Sequence, residues 1–180
     1  MVSPCAPGLQ RNSMSLPPRC VVDSCALEDL QVCRLLRPFL SATSAVIPDL
    51  LADEMRAGTW SQIQTWGAQI VGLAGDELRE VIRLSQGRRA LSPYDFATIV
   101  IARRENVPLL TSNFSHIPDA AGEHGVSVFG VLHVVEQIVS LAIVNPPAAA
   151  SGLRAMLDGG SFLPWDECER LIRRWSSLTP

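Results

Sequence analysis

The chain has 180 residues, 47% hydrophobic and 18% charged, which is typical of a globular protein of about one domain and excludes the disordered and fibrous classes. Its formal net charge is −3, from 15 basic and 18 acidic residues, so it does not coat nucleic acid through bulk positive charge. No apolar run approaches the ~20 residues of a membrane span, and we expect no association with membranes.

Changes in composition divide the chain into three parts. Residues 1–18 contain four prolines and no apolar periodicity, which predicts a flexible N-terminal arm. Residues 19–145 alternate short β-branched runs with longer amphipathic stretches, a pattern typical of a parallel sheet covered by helices. Residues 146–180 open with two prolines and continue as a helical pair, which predicts a C-terminal extension packed on the same core.

The periodicity predicts five strands and eight helices. The strands are expected at 19–23, 44–47, 69–73, 107–111 and 126–129. The helices are expected at 25–37, 48–57, 75–87, 92–105, 114–123, 131–142, 147–158 and 164–175. The helix at 92–105 has the best-defined start, because Ser92, Pro93 and Asp95 form a capping box with proline at the first helical position. We therefore expect a three-layer α/β/α sandwich with a central, mostly parallel five-stranded sheet.

Polar residues that follow the strands are the first candidates for a functional site, because ligands of open parallel sheets bind beyond the carboxyl ends of the strands. Asp23 follows the first strand directly, and Asn113 follows the fourth through Thr111 and Ser112. The structural alternatives are a helix cap for Asp23 and an ordinary turn residue for Asn113.

Two further acids are candidates with equally ordinary alternatives. Glu54 lies on a short predicted helix after the second strand, where exposed acids are common. Asp95 opens a helix, and its capping box explains an acid there without any active site. Taken singly, each of these acids is explained by a structural role as well as by a role in a functional site.

Together, the segments CVVDSCAL, IPDLLADEM, LSPYDFATIVIARRENVPLLTSN and VFGVLHVVEQIV resemble, in their order and spacing, a PIN domain, the nuclease fold of VapC-type toxins. The resemblance spans about residues 19–175. It implies a PIN-like fold and a metal-dependent endoribonuclease, the toxin of a toxin-antitoxin pair. It also implies an RNA substrate, a small cognate antitoxin and a homodimer.

The resemblance implies a role for each candidate residue in holding Mg²⁺ or Mn²⁺. Asp23 is the expected central ligand, Asp95 a second direct ligand, and Glu54 a ligand or a holder of metal-bound water. Ser24 and Thr111 are expected to orient the carboxylates through hydrogen bonds. The residue types agree with this role, because hard divalent cations take oxygen ligands and keep several waters.

The chain departs from the PIN pattern at Asn113, where the family usually carries a fourth acid. An amide oxygen can coordinate Mg²⁺ but has no formal charge, so three carboxylates hold two divalent ions less well than four. Asp119, six residues later, is a distant substitute. A catalytically degenerate PIN module that binds RNA or a protein partner without cleavage is therefore the alternative function.

Local cations are needed for phosphate contacts, and Arg56, Arg88 and Arg89 flank the expected cleft. The alternative for each is a solvated surface arginine.

The five cysteines are odd in number and lack a CxxC pair, which favours a reducing compartment, and we expect a cytoplasmic protein.

Other enzyme classes remain as alternatives. A phosphatase with an aspartyl nucleophile requires a second Asp two positions after Asp23, where this chain has Cys25. A reactive Cys25 with a lowered thiol pKa at a helix N-terminus lacks a visible base. A dinucleotide site is disfavoured because the segment from Gly72 to Gly75 lacks the three-glycine pattern.

Overall fold

A computed structural model describes residues 15–177 and contains a five-stranded sheet of order β3-β2-β1-β4-β5. Every neighbouring pair is parallel, so the predicted three-layer α/β/α fold is confirmed and the sheet is parallel throughout. Each strand lies within two residues of its predicted limits. The strands are β1 (Arg19–Val22), β2 (Ser44–Pro48), β3 (Gln69–Val71), β4 (Leu109–Thr111) and β5 (Val128–Gly130).

Nine α-helices cover the sheet within residues 15–177. They are α1 (Ser24–Val32), α2 (Leu36–Ala42), α3 (Ala57–Thr65), α4 (Gly75–Ser85), α5 (Pro93–Glu105), α6 (Ile117–Glu123), α7 (Val131–Ser140), α8 (Pro146–Asp158) and α9 (Trp165–Ser176). A short 3₁₀ helix spans Asp49–Asp53.

Two of the predicted helices differ from the structure. The helix expected at 25–37 ends at Val32, because Arg34 adopts a left-handed φ of 60° and α2 then begins separately. The helix expected at 48–57 is only the 3₁₀ helix, and α3 was not predicted. Ile63 is the only fully buried residue of α3, so this helix carries little apolar periodicity.

The two faces of the sheet carry separate hydrophobic cores, because successive strand residues point to opposite faces. Cys20 and Val22 of β1 belong to a core with α1, α2, α7, α8 and α9. Val21 belongs to the opposite core with α4, α5 and α6. Helix α5 is the most deeply buried, with every residue of 96–102 inside the protein.

The strand order places a topological switch point beside β1. From β1 the chain proceeds to β2 and β3 on one side, then crosses through α4 and α5 to β4 on the other side. Ligands of open α/β sheets bind at the carboxyl ends of the strands where the order reverses in this way. The ends of β1 and β4, at Asp23 and Thr111, therefore lie at the expected ligand position.

The C-terminal helices pack on the same core, as a close approach at Gly152 of α8 illustrates. A Cβ atom there would lie 2.9 Å from the Cys33 carbonyl oxygen, so the glycine allows α8 to contact the end of α1.

Of the predicted N-terminal arm, residues 1–14 lie outside the described part of the chain. Residues 15–18 are held to the start of β2, because Ser44 N donates to Pro18 O at 2.9 Å. Among residues 15–177, no helix is both long and apolar enough to cross a bilayer.

Candidate functional site

Asp23 lies directly after β1, where it caps α1 and joins β1 to β4. Its side chain is buried, with the residue only 2% exposed. Oδ1 accepts a hydrogen bond from Ala26 N at 2.7 Å, which is the helix cap expected from the sequence. Oδ2 accepts a hydrogen bond from the Thr111 hydroxyl at the end of β4. The predicted cap and the predicted contact to Thr111 therefore occur in the same residue.

Thr111 connects Asp23 with Asn113 through a chain of hydrogen bonds. It is fully buried, and its Oγ1 accepts from Asn113 N at 2.9 Å while its hydroxyl donates to Asp23. A buried network of this kind fixes the positions of its members. Ser24, the other predicted orienting residue, is half-buried at the start of α1, and no hydrogen bond to Asp23 is found for its hydroxyl within residues 15–177.

Asp95 is brought to the same site by the capping box at the start of α5. Its Oδ2 accepts from Ser92 N at 2.7 Å and from the Ser92 hydroxyl at 3.0 Å, and Ser92 Oγ accepts from Asp95 N at 3.2 Å. The box is as the sequence predicts, and none of these contacts uses Oδ1. Asp95 is half-buried, and its charge acts on Asp23 across the sheet end.

Burial raises the pKa of Asp23 from 3.8 to about 7. The hydrogen bonds from Thr111 and Ala26 oppose this rise, whereas the negative charges of Asp95 and Asp29 add to it. The charges of Asp95 and Asp29 thus disfavour ionisation of Asp23. A bound cation would relieve that repulsion, which is the electrostatic condition that a metal site requires.

A cavity of about 640 Å³ is lined by Asp29 but by neither Asp23 nor Asp95. Its walls come from α1, the start of α3, the loop after β4 and the loop between α8 and α9. Asn113 and Arg56, both predicted site residues, line it. The volume falls within the range of ordinary ligand pockets, roughly 300–1,000 Å³.

The other predicted site residues, namely Asp23, Ser24, Glu54, Arg88, Arg89, Asp95 and Thr111, do not line the cavity. Glu54 ends the 3₁₀ helix with an exposed side chain and does not line the cavity. Arg88 Nη2 lies 2.7 Å from Glu123 Oε2, so the guanidinium is already paired with a carboxylate of the same chain. Arg89 is exposed on the same loop. In the described part of the chain, no three His, Cys, Asp or Glu side chains form a metal-binding group by themselves.

Several cavity residues were not singled out from the sequence. Asp29 and Glu28 line the cavity from the same face of α1 as Cys25, because residues three and four positions apart share a helix face. This spacing predicts a role in the site only when the position of α1 beside β4 is known. His116, at the N-cap position of α6, also lies in the cavity wall. Ser112 lines it too, and its Oγ is buried without a hydrogen-bond partner in the described residues.

The environment of Cys25 argues against the reactive-thiol alternative. Desolvation, together with the charges of Asp23 and Asp95, raises the pKa of the Cys25 thiol to about 12. A thiol in this state is protonated at neutral pH and is a poor nucleophile. The oxygen-rich cluster, not the cysteine, is therefore the centre of the candidate site.

The comparisons with known proteins add no family. No protein-family model matches the sequence, and no curated protein matches it significantly.

Proposed function

We propose that the protein is a metal-dependent endoribonuclease of the PIN type, with Asp23 and Asp95 as its essential acids. One observation carries the proposal: the Asp23 carboxyl is buried at the switch point of the sheet, and Asp95, from a distant part of the sequence, is near enough for its charge to raise the pKa of Asp23. Ligand sites of open α/β sheets occupy this position.

The residues present fit a hard divalent cation. Asp23, Asp95 and Asn113 offer carboxylate and amide oxygens, the ligands that hard divalent cations prefer, and the raised pKa of Cys25 keeps that thiol protonated at neutral pH. When bound, Mg²⁺ or Mn²⁺ supplies water activation and stabilises charge on a leaving oxygen. Thr111 holds the Asp23 carboxylate in place, and Arg56 in the cavity wall is available to a backbone phosphate.

The biological setting of the proposal rests on the resemblance to VapC-type toxins. We propose a cytoplasmic toxin with RNA as its substrate, a small cognate antitoxin as its partner, and a homodimer as its assembly.

A catalytically degenerate PIN module is the second candidate function. Two observations favour it. Asn113 lacks the charge of the usual fourth acid, and within residues 15–177 no three His, Cys, Asp or Glu side chains are grouped so that they could hold a metal ion. Such a module is expected to bind RNA or a protein partner without cleavage.

Cleavage of labelled RNA with Mn²⁺ tests the proposal. We expect native protein to cleave, chelation with EDTA to stop cleavage, and Asp95→Asn to reduce the rate by at least ~100-fold, since even residues that only support ligands contribute about 10–100-fold. Asparagine can still accept the hydrogen bond from Ser92 N, so the helix start should survive. Asp76→Asn, which changes an exposed acid at the start of α4, is the matched control and should cleave normally.

Three outcomes would contradict the proposal. Equal cleavage by native protein and Asp95→Asn would indicate a contaminating nuclease. A native protein that binds RNA but does not cut it would establish the degenerate module. Turnover of a small phosphomonoester that disappears with Asp23→Asn would favour a phosphatase.

A further inference from the structure

Asp29 of α1 is a buried acid that lines the cavity, and its charge has no cationic partner in the described part of the chain. The residue is only 9% exposed. Its Oδ1 accepts a hydrogen bond from the neutral Ser161 hydroxyl, and within residues 15–177 no ion pair reaches its side chain. Buried charges in proteins are ordinarily paired, because an unpaired carboxylate loses its hydration without compensation. Asp29 therefore favours a cation that comes from outside the chain.

The wall of this cavity carries an excess of negative charge. Glu28, the exposed neighbour of Asp29, lines the same cavity, whereas Arg56 and His116 are the basic side chains in the described part of the wall. Arg56 forms an ion pair with neither acid among residues 15–177. Two carboxylates against one permanently charged guanidinium attract cations, and a concave wall concentrates that attraction.

Aromatic and apolar side chains make up much of the remaining wall. Phe114, in the loop after β4, is 54% exposed, and Phe162, in the loop between α8 and α9, is 96% exposed. Both line the cavity, as do Val32 and Met55. The face of an aromatic ring attracts an ammonium group, and methylene groups pack on apolar side chains, whereas Mg²⁺ and Ca²⁺ prefer a shell of oxygen ligands. The wall therefore favours an organic cation over a metal ion.

The ring of Phe114 is held in place on one side. A Cβ atom at Gly130 would lie 2.8 Å from Cε2 of that ring, so the ring rests against the glycine at the end of β5. Gly130 has an ordinary φ of −104°, which any residue adopts, so the glycine serves the close approach rather than a special backbone conformation. The ring is therefore fixed at the cavity edge while half of its surface stays open.

Phe162 is tied to Asp29 through its neighbour in the sequence. Ser161, whose hydroxyl donates to Asp29, directly precedes Phe162, and Ser161 N also donates to Met156 O at 3.1 Å. Consecutive Cα atoms are ~3.8 Å apart, so the backbone of Phe162 begins one residue from the contact to the carboxylate. The two hydrogen bonds thus anchor an exposed ring close to an acid that has no counter-ion.

We propose that this cavity binds an aliphatic polyamine, with one ammonium group on Asp29. A second ammonium group meets Glu28, the rings of Phe114 and Phe162 contact the cationic chain, and its methylene groups pack on Val32 and Met55. A cavity of about 640 Å³ has ample volume for such a molecule. Neither Asp23 nor Asp95 lines this cavity, so the inference does not depend on the proposed nuclease activity.

Isothermal titration calorimetry of the full chain with spermidine, in EDTA, is the direct test. Asp29→Asn keeps an oxygen that accepts from Ser161 and should raise the Kd by at least ~30-fold, as expected when a buried charge pair loses one partner. Phe114→Ala and Phe162→Ala should each raise it roughly 2- to 30-fold, the range of a cation–π contact. Butylamine, with one ammonium group, should bind native protein more weakly than spermidine.

Further variants separate the charge of Asp29 from fold and from general surface attraction. Ser161→Ala should not weaken binding, because the carboxylate keeps its charge and loses only a neutral donor. Phe162→Leu should bind as weakly as Phe162→Ala, whereas Phe162→Trp should bind at least as well as native protein. Asp158→Asn and Trp165→Ala change an exposed acid and an exposed ring outside this cavity and should leave the Kd unchanged, as should Asp95→Asn.

Thermal denaturation provides a second measurement that does not depend on the titration. Spermidine should raise the Tm of native protein and of Asp158→Asn, because a ligand that binds only the folded state stabilises it. The same concentration should leave the Tm of Asp29→Asn nearly unchanged. The Tm of each variant without spermidine shows that it is folded.

Four outcomes would overturn the inference. They are the absence of spermidine binding to native protein, a native-like Kd for Asp29→Asn, an equal loss of binding in Asp158→Asn, and a loss of binding in Asp95→Asn that Asp29→Asn does not show. Tighter binding of argininamide than of spermidine would instead assign the site to guanidinium compounds and overturn the polyamine class. These measurements use no RNA, so their outcome and that of the cleavage assay are separate.

Discussion

Asp23→Asn is expected to abolish RNA cleavage and, at the same time, to stabilise the metal-free protein above neutral pH. Loss of activity should be at least ~100-fold, because the variant removes the central charge of the cluster. The fold should survive, because asparagine is as good a helix cap as aspartate and can still accept the hydrogen bond from Ala26 N.

The stabilisation follows from the direction of the Asp23 pKa. Burial raises the pKa of Asp23 from 3.8 in an unperturbed chain to about 7 in the folded protein, so the folded state binds the proton more tightly. The stability that this proton contributes is fully present below about pH 4 and is lost as the pH rises through about 7. The loss amounts to at most ~4 kcal/mol. Asp23→Asn, which carries no charge at any of these pH values, should not show this loss.

Urea denaturation in EDTA at about pH 5 and about pH 8 measures the effect. Native protein should be less stable at the higher pH by an amount that Asp23→Asn largely removes, while Asp76→Asn should behave as native. A variant that is less stable than native protein at about pH 8, or that keeps the full pH dependence, would show that Asp23 is not a desolvated carboxylate in a crowded acidic cluster.

Asn113→Asp is expected to increase Mn²⁺ affinity and cleavage, both by roughly 10-fold or more, since added ligand charge strengthens binding of a hard cation. Thr111 Oγ1 accepts from the backbone N–H of residue 113, so the new carboxylate should occupy the position of the present amide. The added charge also increases repulsion from Asp23 and Asp95, so the metal-free variant should be less stable than native protein.

Titration calorimetry with Mn²⁺ and the cleavage assay together measure this change. Asn145→Asp is the matched control, because Asn145 caps α8 by accepting from Ala148 N at 2.8 Å and does not line the cavity. Aspartate caps a helix equally well. Unimproved Mn²⁺ binding by Asn113→Asp, or an equal gain in Asn145→Asp, would contradict a metal site at the end of β4.

Much of the fold was predictable because its signals are local. The strands are β-branched runs bounded by turn residues, and Ser92 with Asp95 specifies the start of α5 within four residues of sequence. Asp23 and Thr111 were identifiable for the same reason, since each ends a strand and the switch-point rule then places them together.

The rest of the site depends on contacts between distant segments. Asp29 and Phe162 lie on the same cavity only because α8 packs on α1 and the loop after α8 reaches back to it. No local pattern records that packing. Glu54 was selected for its place after a strand; the structure places it exposed at the end of the 3₁₀ helix, and its role as a ligand stays a prediction.

The most direct test of the central claim is a crystal structure of the native protein soaked in Mn²⁺, with the metal located by its anomalous scattering. The account predicts a peak between the carboxylates of Asp23 and Asp95. Carboxylates turned apart with no metal between them, or Mn²⁺ bound only elsewhere on the molecule, would contradict it.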